Sequence, residues 1–263
     1  MLKQFGILTF SLLITTQTVF AQQENITKDH APLQEQNNTK QSFVLKSKYT
    51  KHNYLIQTFV PVGEVPSQGF PVLYILDGNA AFDSVVNIAK SVGGGADQFI
   101  QFIEKELKPV IHTKIKVNLQ QQSLFGHSFG GLFVLHTFFS QPQRFQRYIA
   151  ASPSLWFDNY ALLDQETNWL NKKNSNKHDL MLMTTVGTHE QRKSDIDVTE
   201  STQKQFDFYQ NLSKQRSDQF LFWNFKHLAE QHLTNMHASL PKAIMLAGCH
   251  TQNCSALFDE LTP

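Results

Sequence analysis

The sequence predicts an α/β fold in which a mostly parallel central sheet carries helices on both faces. From residue 42 onward, apolar stretches of strand length alternate with longer segments of helical period. The 263 residues include 23 Lys and Arg against 22 Asp and Glu, a balance typical of a globular protein with one core. Because basic clusters are absent, we exclude nucleic acid and anionic membrane surfaces as partners.

Seven stretches have the length and composition of strands. The first two are joined by a short polar turn and predict an antiparallel hairpin at one edge of the sheet. The predicted strands cover 42–48, 53–60, 71–76, 122–125, 147–151, 179–186 and 219–225.

Between these strands lie segments with the length and period of helices. The predicted helices cover 80–91, 97–111, 129–140, 159–172, 198–215 and 236–247. The alternation fails once, because two helices separated by Gly93, Gly94 and Gly95 follow one strand with no strand between them. Residues 85–92 have a composition that also permits a short strand. We expect the sheet to lack one central strand.

The N-terminus has the features of a secretory signal peptide. Lys3 supplies a positive charge, residues 5–19 form an apolar run, and Ala21 ends a small-residue cleavage site. The run is shorter than the ~20 residues of a membrane span, so cleavage is favoured over a membrane anchor. We predict a signal peptide over 1–21, a disordered polar linker over 22–41, and export to the bacterial periplasm or medium.

The C-terminal tail, 249–263, contains the chain's two cysteines. Cys249 and Cys254 are close enough in sequence to close a small disulfide loop in an oxidising compartment. The alternatives are a reduced pair and a metal site shared with His250, which has too few ligands for a closed site. We therefore predict a disulfide and no metal.

A Gly-x-Ser-x-Gly motif gives the clearest indication of chemistry. Gly126 to Gly130 follow a short strand and open an apolar helix, the setting of a nucleophile elbow with Ser128 at its apex. We expect positions 126 and 130 to require glycine, because a side chain at either would strike the neighbouring strand or helix.

The elbow also predicts where an oxyanion would be held. The backbone N–H of Phe129 lies at the start of the following helix and is one expected donor. The second donor is expected in the turn after strand 71–76, from the backbone N–H of Asn79 or Gly78.

A serine nucleophile needs a histidine base and an orienting acid, which follow the serine in chain order in this kind of fold. The segment after strand 219–225 offers His232 as the favoured base, since a base reaches back from several residues beyond its strand. The loop after strand 179–186 offers Glu190 as acid. The alternatives are His227 and His237 for the base, and Asp195 and Asp197 for the acid.

With these residues, the chain resembles the Putative esterase family of α/β-hydrolases, which includes esterase D, feruloyl esterases and mycolyltransferases, and most closely its exported siderophore esterases. The resemblance implies an α/β-hydrolase fold, Ser128 as nucleophile, His232 as base, Glu190 as acid and Trp156 beside the substrate. It is carried by residues 70–79, 93–109, 123–136, 147–159 and 187–191.

The chain departs from the family between Asn79 and Gly93, where relatives have a further central strand and a substrate-contacting loop. Leu233 also stands where relatives usually have Gly, and some siderophore esterases use a Ser-His dyad without an acid. We predict an exported serine carboxylic-ester hydrolase that forms an acyl-enzyme, requires no cofactor or metal, and acts on a small ester such as a siderophore ester or lactone. The alternatives are a non-catalytic descendant and an acyltransferase.

Overall fold

The computed structural model describes residues 8–13, 39–60, 63–76, 95–171, 180–190, 198–249 and 251–259. Within these residues eight strands form one sheet in the order β2-β3-β1-β4-β5-β6-β7-β8. The strands are β1 (Leu8–Leu13), β2 (Thr39–Lys46), β3 (Asn53–Val60), β4 (Phe70–Leu76), β5 (Val117–His127), β6 (Arg147–Ala151), β7 (Leu180–Gly187) and β8 (Phe220–His227). Strands β1, β4, β5, β6, β7 and β8 are parallel to one another. Strands β2 and β3 form the predicted antiparallel hairpin. The predicted α/β-hydrolase fold is confirmed.

The helices lie on both faces of this sheet. They are α1 (Gly95–Phe102), α2 (Lys108–Lys114), α3 (Phe129–Ser140), α4 (Leu162–Asn171), α5 (Val198–Lys214), α6 (His232–Gly248) and α7 (Thr251–Asp259). A π-helical turn, Ile103–Leu107, joins the first two, and single helical turns lie at Pro142–Arg144 and Phe157–Tyr160. One face buries apolar side chains of α1, α3, α4 and α5, including Phe102, Phe138, Trp169 and Phe208. The other face packs against α6 and α7 through Trp223, Leu246 and Phe258. None of the helices in the described residues is long and apolar enough to cross a bilayer.

The sheet is continuous where the sequence predicts a gap. Leu8–Leu13, predicted as part of a signal peptide, forms β1 between β3 and β4. Its backbone pairs antiparallel with Leu55–Gln57 and parallel with Val72–Leu76. The expectation of a missing strand is therefore wrong for this chain, because an apolar N-terminal segment satisfies the backbone groups of both neighbours. The predicted helix over 80–91 lies outside the described residues.

The C-terminal residues also belong to the domain. We expected the domain to end at Gly248, but α7 follows, and its Cys254 and Phe258 are fully buried. Cys249 and Cys254 are joined by a disulfide across a Cα–Cα distance of 5.5 Å. The apolar side chains of α7 complete the core on this face, which the sequence position alone does not reveal.

Several boundaries differ from the prediction where polar residues join regular elements. β5 starts at Val117 rather than 122 because Val117 pairs with Phe70 of β4, ahead of a register shift that ends at Gln122. β2 starts at Thr39 rather than 42, because Thr39 pairs with Val60. α6 starts at His232 rather than 236, because Gln231 and Thr234 form a reciprocal capping box. This earlier start places His232 in the first turn of a helix.

Candidate active site

Four adjacent parallel strands end at the same edge of the sheet, and polar side chains collect there. Ser128 follows β5, Ser152 follows β6, Glu190 lies three residues after the end of β7, and His232 lies five residues after β8. In open α/β sheets this carboxyl edge is where ligands bind. The order of the strands brings together residues that are far apart in sequence.

Ser128 occupies a sharp turn between β5 and α3. Its φ of 58° and ψ of −117° lie in a region that residues with a side chain rarely adopt. The turn is held by Ser128 N–H donating to Ala151 O at 2.9 Å and by Ser154 N–H donating to Ser128 O at 3.1 Å. The expected elbow conformation is therefore present.

The glycines around the elbow differ in how closely they are packed. A Cβ at Gly126 would lie 2.3 Å from the backbone of Gly130, so no side chain fits there. A Cβ at Gly130 would meet Leu76 Cβ at 3.6 Å, which is an ordinary contact. Among the described residues nothing requires Gly130 to lack a side chain, which differs from the expectation. The second tight position is Gly131, whose Cβ would lie 3.0 Å from Ala151 O.

The predicted oxyanion donors are partly described. Phe129 is the first residue of α3, so its backbone N–H lies at the helix N-terminus, where the helix dipole favours negative charge. Gly78 and Asn79 lie outside the described residues.

Ser128, His232 and Glu190 form a continuous hydrogen-bonded series. Ser128 Oγ donates to His232 Nε2 at 2.9 Å, and His232 Nδ1 donates to Glu190 Oε2 at 3.0 Å. The His232 side chain is 39% exposed whereas that of Glu190 is 13% exposed. The imidazole is thus accessible from solvent while the carboxylate behind it is shielded.

Direct pairing of two loops brings the acid and the base together. His189 N–H donates to Glu230 O, and Thr188 N–H donates to His227 O, each at 2.9 Å. Gly187 makes this pairing possible, because a Cβ there would lie 2.2 Å from Glu230 O. The Gly-Thr-His-Glu string therefore fixes the position of Glu190 as well as supplying it.

The Glu190 carboxylate is held in its ionised form. Burial alone would raise the pKa of Glu190, but hydrogen bonds from His232, Ser152 and the Gly187 N–H hold that pKa below its usual range. Ser152 Oγ donates to Oε1 at 2.6 Å, and Gly187 N–H donates to the same oxygen at 2.5 Å. A negative charge is therefore available to orient His232.

His127, the residue before the nucleophile, contacts the same histidine from the other side. It is fully buried, and its Nε2 donates to the backbone carbonyl of His232 at 2.6 Å. Burial, and next the nearby His232, lowers the pKa of His127 to about 4, so the ring is neutral at neutral pH. His127 thus anchors the backbone of His232 without adding a charge.

The alternative residues lie elsewhere or outside the described parts. His227 Nδ1 faces Asn235 Oδ1 at 2.6 Å rather than Ser128. His237 is exposed one turn further along α6. Asp195 and Asp197 fall outside the described residues.

Ser152 and Asn235 were not singled out from the sequence, whereas Trp156 was expected at the site. Ser154 Oγ lies 3.2 Å from Ser128 Oγ and, since the Ser128 hydrogen is directed to His232, donates to it. Ser152 directly follows β6, and Asn235 lies one helical turn after His232. Their positions, one at the end of a strand and the other three residues after the base, could have indicated from the sequence that both lie near the site. Trp156 is 39% exposed, with its ring edge-to-face against Phe129 at 5.7 Å between centroids. It therefore borders the elbow.

The fold and the side chains of Ser128, His232 and Glu190 define an α/β-hydrolase with a Ser-His-Glu site. A family model described as Putative esterase matches residues 81–231, more than half of the chain. The chain belongs to the Putative esterase family.

Known proteins similar to this chain carry siderophore-related names. A siderophore triacetylfusarinine C esterase of Aspergillus fumigatus is 40% identical over 100 residues, covering 37% of this chain and 34% of that protein. The ferri-bacillibactin esterase BesA of Bacillus subtilis is 25% identical over 201 residues, covering 56% of this chain and 70% of that protein. The match to the Aspergillus relative thus spans about a third of its length.

Solved structures share the fold. The crystal structure of BES protein from Bacillus cereus superimposes with a TM-score of 0.67 at 24% sequence identity, covering 88% of this chain and all of that one. At this identity the likeness establishes the architecture of the chain.

Proposed function

We propose that this protein is a serine hydrolase of carboxylic esters. The observation that carries the proposal is the hydrogen-bonded series from Ser128 through His232 to Glu190, with distances of 2.9 and 3.0 Å. A serine hydroxyl is a weak nucleophile unless an adjacent base accepts its proton, and a third group must orient that base. The family and the names of its relatives support the same activity.

The proposed reaction has two halves. His232 Nε2 accepts the Ser128 proton as Oγ bonds to the ester carbonyl carbon, and the backbone N–H of Phe129 helps to hold the oxyanion. The ester C–O bond then breaks, and His232 gives the proton to the leaving alcohol. Water, deprotonated by His232, attacks the acyl-enzyme; the acid leaves, and Ser128 regains a proton. Glu190 stabilises the imidazolium in both halves.

We propose a siderophore ester or lactone as the substrate class. Support comes from the relatives, since both of those described above are named as esterases of siderophores. Trp156, at the edge of the elbow, offers an aromatic surface to the acyl or catechol portion of such a ligand. Release of acid from triscatecholate lactones, compared with short p-nitrophenyl esters, tests this choice; activity on the short esters alone would contradict it.

A fluorophosphonate probe tests the serine mechanism. We expect a covalent adduct on Ser128, located by mass spectrometry, that is lost in His232→Ala. His237→Ala is the matched control, because it removes an exposed histidine of the same helix. A folded protein that forms no adduct, or one labelled at another residue, would overturn the proposal.

We further propose that the chain is exported. The apolar run after Lys3 and the small residue Ala21 support export. Cleavage after Ala21 would also remove β1, leaving β3 and β4 without their shared neighbour. Intact-mass measurement on fractionated cells tests both points: a chain beginning at Gln22 in the exported fraction supports the proposal, and a full-length chain confined to the cytoplasm contradicts it.

A further inference from the structure

A buried polar side chain lies behind the acid on the side away from the nucleophile. Asn235 is in α6, one turn after His232, and is fully buried. Its Nδ2 donates to Ser152 Oγ at 2.7 Å, and Ser152 Oγ in turn donates to Glu190 Oε1 at 2.6 Å. Asn235 therefore reaches the acid through a single hydroxyl.

The direction of each hydrogen bond in this series follows from the chemistry of the groups. The ionised Glu190 carboxylate only accepts, so the Ser152 hydroxyl must donate its single hydrogen to Glu190. Ser152 Oγ then accepts from Asn235, which requires the NH₂ group of Asn235 to face Ser152. The carbonyl oxygen of Asn235 consequently faces His227.

The other end of the series fixes the amide of Asn235. His227 Nδ1 lies 2.6 Å from Asn235 Oδ1 and must donate to it. His227 Nε2 is then the acceptor in the neutral ring, and Lys242 Nζ lies 3.4 Å from it as the donor. All the hydrogens in the series, from Lys242 through His227, Asn235 and Ser152, point towards Glu190.

We propose that Asn235 is a positioning residue for the reaction, because its amide holds the Ser152 hydroxyl in the orientation that binds the Glu190 carboxylate. The inference rests on the proposed serine mechanism. Asn235 itself does not touch the nucleophile or the space where a substrate would lie. It acts on His232 only through Ser152 and Glu190.

The near-isosteric substitution Asn235→Asp tests this role. A carboxylate at this position would accept where the amide donates, so it would compete with Glu190 for the Ser152 hydrogen. With a p-nitrophenyl ester as substrate we expect kcat to fall at least about tenfold and KM to stay unchanged. A positioned acid–base group contributes about 10²–10⁴-fold to the rate, and misplacing Glu190 should lose part of that contribution. Thermal unfolding checks that the variant is folded.

Ser239→Ala is the matched control. Ser239 is fully buried on the same helix and donates to Asn235 O at 2.5 Å. It contacts the Asn235 amide only indirectly, through the Thr185 hydroxyl, and so lies outside the series that ends on Glu190. We expect kcat in this variant to stay within twofold of the wild type. An equal loss of kcat in both variants would mean that Asn235 only supports packing.

A double-mutant cycle separates positioning from general damage to the fold. In a Glu190→Gln background, Asn235→Asp should change kcat by less than about twofold, because the carboxylate on which it acts is gone. The same fold-loss in both backgrounds, or wild-type kcat in Asn235→Asp alone, would overturn the proposal.

A measurement without turnover keeps this test distinct from the proposed function. If the wild-type protein neither reacts with fluorophosphonate nor hydrolyses esters, the serine mechanism fails, and ¹³C NMR titration of the Glu190 carboxyl then decides the role of Asn235. A raised Glu190 pKa in Asn235→Asp relative to the wild type supports the inference. An unchanged Glu190 pKa overturns it.

Discussion

The buried ring of His127 donates a hydrogen bond to the backbone carbonyl of His232 at 2.6 Å. His127, which directly precedes the nucleophile Ser128, therefore anchors the backbone of the base. The two rings lie 4.7 Å apart between centroids, and a charge on His127 would oppose a proton on His232. Because burial keeps His127 neutral, the contact orients the base without discouraging its protonation.

We predict that His127→Phe lowers kcat severalfold with little change in KM, because the His232 carbonyl loses its donor. The variant also changes the pH dependence of stability. Folding lowers the pKa of His127 to about 4, so the wild type loses stability as pH falls from about 6.5 to 4, when only the unfolded chain takes up the proton. Denaturant unfolding at several pH values should show this loss, about 1–3 kcal/mol, in the wild type only. Parallel pH curves for both proteins would contradict the prediction.

Glu190 should be required for full activity. We expect Glu190→Gln to lower kcat about 10²–10⁴-fold, because an amide neither carries the charge that stabilises the imidazolium nor keeps the same hydrogen bonds. Glu200→Gln removes an exposed carboxylate from α5 and is the matched control. Wild-type turnover by Glu190→Gln would show that Ser128 and His232 act as a dyad.

The two motif glycines should respond differently to the same added methyl group. Gly126→Ala places a Cβ 2.3 Å from the backbone of Gly130 and should destabilise the fold by about 1–3 kcal/mol or prevent folding. Among the described residues the Cβ of Gly130→Ala meets only Leu76, at ordinary contact distance, and since alanine favours a helix, its effect should stay below about 1 kcal/mol. Chemical denaturation measures both changes, and equal losses of stability would refute the distinction.

Removal of the N-terminal segment should weaken the sheet. A chain that begins at Gln22 lacks β1 and leaves the facing edges of β3 and β4 unpaired. With roughly 1 kcal/mol for each lost backbone hydrogen bond, we expect a decrease of several kcal/mol in the free energy of unfolding and faster aggregation. Urea unfolding and light scattering of this chain and of the full chain test the prediction. Equal stability of the two would mean that β1 contributes nothing to the fold.

Glu166 provides a second pH-dependent contribution with the opposite sign. Burial raises the pKa of this carboxyl to about 7, and a hydrogen bond from Asn211 only partly opposes the rise. Between about pH 4.5 and 7 the folded chain keeps a proton that the unfolded chain has lost, so stability decreases as pH rises through this range. Glu166→Gln should remove about 1–3 kcal/mol of that decrease, measured by unfolding at pH 5 and pH 8. The same decrease in the variant would exclude Glu166 as its source.

Local patterns predicted much of the fold. β3, β6 and α3 have the bounds expected from hydrophobic period and turn residues, because such signals act over a few neighbouring residues. The predictions failed where distant segments complete an element. β1 and α7 are examples: an apolar segment near each end of the chain finds partners in the sheet or the core that its own sequence does not specify.

The sequence by itself determined the alternation that makes an α/β sheet, the elbow at Ser128, and the candidates for acid and base in their chain order. The tertiary structure decided which histidine faces Ser128, because backbone pairing between the loops after β7 and β8 sets His232 between Ser128 and Glu190. It also decided that Leu8–Leu13 makes the sheet continuous between β3 and β4, and that Asn235 contacts the acid through Ser152. These contacts join residues distant along the chain, and only the packed sheet brings them within hydrogen-bonding distance.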